Sequence, residues 1–223
     1  MSSGRTLPVA LAEHAAALAG CRRCGHDIPD VVPILSQARA PRVMLVGQAP
    51  GKTEVGDRRP FAGRAGKTLF RWLERAGVTE AEVRERVYIA AITRCYPGPS
   101  ASGRGDRVPS PRERALCAGW LEAEIRLLRP VLLILVGRLA IDRFIGALPL
   151  ERVVGRAHQV DLAAFGVPDT VTRAIPLPHP SGASTWPNLP GNRVLLDEAL
   201  ALLGAAFAEA WAPSDARGTR RSA

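Results

Sequence analysis

The chain has 223 residues, 47% of them hydrophobic, and a formal net charge of +9. That length suits one α/β domain with a sizeable core, and the lack of any run of about 20 apolar residues excludes a membrane-spanning helix. All the basic residues but Lys52 and Lys67 are arginine, whose planar donor fork suits phosphate, so the charge points to a polyanionic partner such as nucleic acid.

Residues 8–19 are rich in Ala and Leu and read as a helix. The first twenty residues lack a strong apolar segment and carry Glu13 and His14, so they do not read as a signal peptide. A cytosolic location is expected, where structural disulfides are not favoured. Cys21 and Cys24 follow in a loop. "PRVMLVG" (41–47) is a short apolar run ending in Gly, the pattern of a buried strand. "GQAPGKT" (47–53) then resembles a phosphate-binding P-loop, but only three residues separate Gly47 from Gly51. The P-loop needs four, and its cradle of N–H groups depends on loop length, so a different role is required.

"GKTLFRWLERAGV" (66–78) places Leu69, Phe70, Trp72, Leu73 and Ala76 at helical spacing. "RVYIAAITRC" (86–95) is a second strand, and 97–109 a flexible loop with two arginines. The next helix opens with Ser110 as N-cap, Pro111 at the first helical position and Glu113 completing a capping box. "PVLLILVG" (130–137) is a third strand, "RLAIDRFIG" a helix, and "RAIPLPHP" (173–180) the end of a fourth strand. A last helix covers 192–211, and 212–223 reads as a disordered basic tail. Alternation of strand and helix predicts a single-domain three-layer α/β sandwich over 1–211, with a central, mostly parallel four-stranded sheet. Ligands of such sheets sit beyond the strands' carboxyl ends. The segments 47–66, 95–109 and 178–191 lie there and are expected to share one crevice.

Four cysteines, Cys21, Cys24, Cys95 and Cys117, form one tight pair and two dispersed residues. Four thiolates in a reducing cell suit a metal site, and zinc and a [4Fe–4S] cluster both fit. Two buried thiols beside a chance pair is the plainer alternative. His14, His26 and His158 have no chemical context and read as surface residues.

"HPSGAS" (179–184) follows a strand, "GQAPG" precedes "RPFAGRAG", and the four cysteines accompany both. This combination resembles the uracil-DNA glycosylase superfamily from about residue 20 to 205, nearest to its iron–sulfur families 4 and 5. The resemblance implies a pocket loop of Gly47, Gln48, Ala49, Pro50 and Gly51 against uracil and sugar. It implies Phe61 as the ring stacked on the flipped base, and His179 as the donor to uracil O2. Ser181 and Ser184 would hold DNA phosphates, and the segment from Gly182 would enter the minor groove. Ala183 stands where relatives place a bulky wedge, which leaves Trp186 to do the wedging. Cys21, Cys24, Cys95 and Cys117 match the [4Fe–4S] ligands.

Departures are as informative. Ala49 replaces the water-activating Asp of many members, and Gln48 the family 4 loop glutamate. Glu54 and Asp57 are the carboxylates left nearby. Glu54 aligns with a glutamate near the base's C5 edge, where it excludes thymine's methyl or aids the water. Ala91 stands where family 4 reads uracil with Asn.

The residue chemistry agrees with these roles. Glycosidic cleavage leaves negative charge on the base, and a preorganised donor such as His179 stabilises it. A flipped base needs an aromatic wall, and Phe61 sits in a polar, glycine-flanked loop. A loop-anchoring Phe61 and a strand-capping His179 are the alternatives. The expected function is hydrolysis of uracil, and of other deaminated bases, from DNA by a monomeric protein. A non-catalytic DNA- or lesion-binding module of the same fold is the second reading, and a zinc-stabilised nucleotide-binding protein the third.

Overall fold

A computed structural model describes residues 6–25, 27–28, 31–36, 41–103, 105–182 and 184–212. His26, Arg104, Ala183 and the tail from Pro213 onward lie outside the described residues.

One sheet organises the chain. Its strands are β1 (Val43–Gly47), β2 (Val87–Ala91), β3 (Leu132–Val136), β4 (His158–Asp161) and β5 (Val171–Leu177), in the order β2-β1-β3-β5-β4. β1 runs parallel to both β2 and β3, and β3 to β5, whereas β4 is antiparallel to β5. The mostly parallel sheet was expected; it has five strands rather than four. The added strand, β4, is a four-residue edge in which only Val160 is buried. It offers no apolar run for the eye to catch. Every residue of β1 and β3 is buried, because helices cover both faces of a parallel sheet.

The helices are α1 (Leu7–Ala19), α2 (Lys52–Asp57), α3 (Arg64–Arg75), α4 (Glu80–Arg86), α5 (Pro111–Leu128), α6 (Arg138–Phe144), α7 (Leu150–Val153) and α8 (Pro190–Trp211). The crossover from β1 to β2 runs one way along the sheet and that from β2 to β3 the other. Right-handed crossovers therefore place α3 and α5 on opposite faces. α8 packs with α3, and α1 with α5, completing the two outer layers. The capping box read at Ser110 is present: Ser110 Oγ accepts from the Glu113 N–H, and Glu113 accepts from the Ser110 N–H.

Strand order reverses between β1 and β3. Loops leaving their carboxyl ends diverge there, and a crevice opens.

Candidate active site

That crevice is a cleft of about 600 Å³. Its most buried lining residues are Ile34, Ile89, Ala90 and Val136, with Arg94 among them, each under 5% exposed. Gly47, Gln48, Ala49, Pro50, Gly51, Glu54, Phe61, Ala91, His179, Ser181 and Gly182 all line it. The structure thus gathers into one place residues taken from three loops and two strand ends. Ser184 and Trp186 are not part of the lining. The Trp186 indole N–H donates to Glu151 Oε1 at 2.6 Å, and its ring packs on the core.

The pocket loop is bound to β2 by backbone. Ile92 and Thr93 N–H groups donate to the carbonyls of Gly47 and Gln48. The near P-loop therefore serves as a cleft wall, and the six-residue α2 follows it directly.

Phe61 stands on strained backbone, with φ of 52°, a left-handed conformation that costs a bulky residue free energy. Two interactions hold it there. Arg84 donates to the carbonyls of Pro60 and Phe61. Gly66 lets the Phe61 carbonyl approach so closely that a Cβ there would lie 1.8 Å from its oxygen. The ring in turn rests over Gly47, where a Cβ would meet Cζ at 3.0 Å.

His179 follows β5 and is half-buried. The Ser181 N–H donates to its Nδ1 at 3.2 Å, which leaves the ring proton on Nε2. Burial pushes its pKa below the ordinary histidine value, opposed by the charge of Asp106. The imidazole is accordingly neutral near pH 7. Gly137, with φ of 84°, makes room for it: a Cβ there would lie 2.9 Å from His179 Cδ2.

Glu54 is only 7% exposed, and its Oε1 accepts from the Gly63 N–H at 3.3 Å. It ties α2 to the loop carrying Phe61. Asp57 is exposed and lies away from the lining.

Two charged lining residues went unread in the sequence. Arg94 lies 2% exposed between cleft and cysteine pocket, lines both, and pairs with buried Glu124. Glu124 also accepts from Tyr88 and contacts His14 Nε2 at 3.2 Å. His14, with a side chain 7% exposed, is therefore no surface residue. Asp106 is the second. It sits in the loop expected to be flexible, but an antiparallel bridge to Pro99 holds it at the cleft mouth. Arg107 of that loop is bound by Glu113 through both guanidinium ends, at 2.8 and 2.5 Å.

The four cysteines line a single pocket with Arg94, Thr93, Glu113 and Trp120, and none is in a disulfide. Burial and the neighbouring thiols push Cys95 up to about 12, and burial above all pushes Cys117 up to about 11. Such thiols are neutral unless a cation compensates them. Thr93 Oγ1 and Arg94 Nε on the pocket wall are buried without partners among the described residues. Donor number and kind thus fit a thiolate-bound metal group. Among the described residues no three His, Cys, Asp or Glu side chains are grouped to hold a metal ion.

The model of the uracil DNA glycosylase superfamily matches residues 34–204. The chain belongs to that superfamily. A Type-4 uracil-DNA glycosylase of Archaeoglobus fulgidus is 30% identical over 176 residues, covering 76% of this chain and 80% of the relative. One of Thermotoga maritima is 31% identical over 140 residues, or 63% of this chain and 65% of the relative. A Type-5 uracil-DNA glycosylase of Mycobacterium tuberculosis is 36% identical over 103 residues, 40% of this chain and 35% of the relative. Within the uracil-DNA glycosylase superfamily, then, this chain has both Type-4 and Type-5 relatives. Its cleft carries Gln48, Ala49 and Ala91 at the positions where departures were noted.

Proposed function

We propose that the cleft excises uracil from DNA as a monofunctional glycosylase, hydrolysing the N-glycosidic bond and forming no covalent intermediate with the protein. The observation that carries this reading is His179. Its Nδ1 is occupied by a backbone donor, so its remaining N–H serves as donor in a cleft whose other wall is Phe61. Uracil bound there leaves as an anion, and a fixed donor costs no reorganisation when that charge forms. Phe61 supplies the stacking face, and Gly47 through Gly51 offer close backbone approach. Ala91 removes any side-chain hydrogen bond from the β2 wall. Discrimination then rests on cleft shape, and the substrate range extends to other deaminated bases. Ser181, Gly182 and Ser184 flank the mouth as the DNA contacts. Trp186 is proposed as a support for that segment, since its indole is held by Glu151.

Cys21, Cys24, Cys95 and Cys117 would hold a [4Fe–4S] cluster. Its contribution is structural: a cross-link between the segment after α1, the loop after β2, and α5. Four free thiols around one pocket support this reading.

Incubation of the purified protein with a duplex containing one U·G pair, followed by alkali and a denaturing gel, tests the proposal. Cleavage at the uracil is expected. Retention of the duplex intact, with tight binding, would establish the non-catalytic DNA-binding reading instead, which Ala49 and Ala91 favour.

A further inference from the structure

We propose that Asp106 is the carboxylate that faces the reacting sugar, stabilising its positive charge and taking the proton of the attacking water. The proposal rests on the excision reading above. The pocket loop has no acid of its own, because Gln48 and Ala49 occupy its second and third positions. Two carboxylates reach the loop from elsewhere. A Cβ on Gly51 would lie 2.8 Å from Glu54 Oε2 and 3.0 Å from Asp106 Oδ2. They converge on one backbone carbon, but their situations differ.

Glu54 is buried and spends one oxygen on the Gly63 N–H. It anchors the loop. Asp106 is exposed at the mouth, and burial together with its nearby charge pushes the Tyr96 phenol above its ordinary value. Depth decides between them. The most buried part of the lining, Ile89, Ala90 and Val136, offers flat apolar surface suited to a base, so a flipped nucleotide enters base first and its sugar stops at the mouth. The carboxylate standing at the mouth is Asp106. It is also the charge that His179 feels across the cleft. One wall thus meets the anion forming on the base, and the other the cation forming on the sugar.

The C1′–N1 bond breaks and its electron pair leaves with the base. A water oxygen bonds to C1′, and its proton passes to Asp106 and then to solvent. The base anion, hydrogen-bonded by His179, takes a proton from solvent.

Two measurements on Asp106→Asn test this. In single-turnover excision from a U·G duplex, the rate is expected to fall about 10²-fold or more. Binding is then compared for two duplexes that need no chemistry. One carries a pyrrolidine abasic analogue, cationic at neutral pH, and the other its neutral tetrahydrofuran counterpart. The wild type is expected to prefer the cation by about tenfold or more. Asp106→Asn should bind both alike, while Glu54→Gln keeps the preference. A preference that survives Asp106→Asn, or that vanishes in Glu54→Gln instead, overturns the proposal. If the wild type leaves uracil DNA intact, the excision reading fails, and the pyrrolidine comparison still decides whether Asp106 faces the sugar.

Discussion

At the residue scale the cleft is a problem of placing one proton donor. His179 is held through Nδ1 by the Ser181 N–H and admitted by the left-handed Gly137. Removing a preorganised donor to a developing anion costs about 10²–10³ in rate, so His179→Ala should lose that much in single-turnover excision with DNA binding nearly unchanged. The pH dependence follows from the direction of the shift. Burial lowers the His179 pKa below 6.5, so the neutral ring predominates at and above that value. Protonation of Nδ1 would set two donors against each other at Ser181. Excision is therefore expected to be flat above pH 6.5 and to fall only on the acid side of it. Stability has the same sign: the unfolded chain binds the proton more readily, so this contribution is complete above 6.5 and lost as pH falls. A rate that drops while pH rises from 6.5 would contradict the neutral-donor assignment.

At the element scale, the strained loop between α2 and α3 sets the aromatic wall. Gly66 lies in the first turn of α3, under the Phe61 carbonyl. Gly66→Ala cannot be absorbed by a side-chain rotation, because the obstacle is backbone. Overpacking of this kind costs typically 1–3 kcal/mol. In a domain of this size each kcal/mol lowers Tm by about 2–4 °C. Thermal unfolding should show that loss, and excision should fall further than stability because Phe61 is displaced. The same loop shows what sequence reading can reach. β1 and β3 were legible as unbroken apolar runs, and α5 by its cap residues, because each signal is local. Phe61 was legible as an aromatic out of place. α2 and α4 were not: six or seven mostly polar residues carry no usable period. Nor was Asp106, whose position depends on a bridge to Pro99 across a glycine-rich loop. Arg94 reads as one polar residue after an apolar strand, and only the fold shows that Glu124, 30 residues on, balances its charge.

At the scale of the whole molecule, the +9 charge and the thiol pocket act on DNA binding and on stability separately. If the proposed [4Fe–4S] cluster is bound, loss of its iron should lower Tm, since Cys21, Cys24, Cys95 and Cys117 join the segment after α1, the loop after β2 and α5. Chelation under anaerobic conditions, followed by calorimetry and iron analysis, checks it. Stoichiometric zinc without iron in anaerobically prepared protein would refute the cluster. DNA affinity answers to a different variable. If about six phosphates are neutralised, log K should fall with log salt at a slope of roughly −5. The arginines of the molecule do not contribute equally. Arg64 and Lys52 are exposed on the cleft lining, so replacing either with Ala should flatten the slope by about one unit. Arg107 is on the same rim, but its guanidinium is committed to Glu113, whose carboxyl it holds below the usual range. Arg107→Ala should leave the slope almost unchanged and lower Tm instead, because Glu113 is 1% exposed and would lose its partner. Salt titrations of the three variants on one duplex separate these effects. A flat response in the wild type would remove the basis for a DNA-facing surface, and a slope lost in Arg107→Ala but kept in Arg64→Ala would put the phosphates on the 97–109 loop.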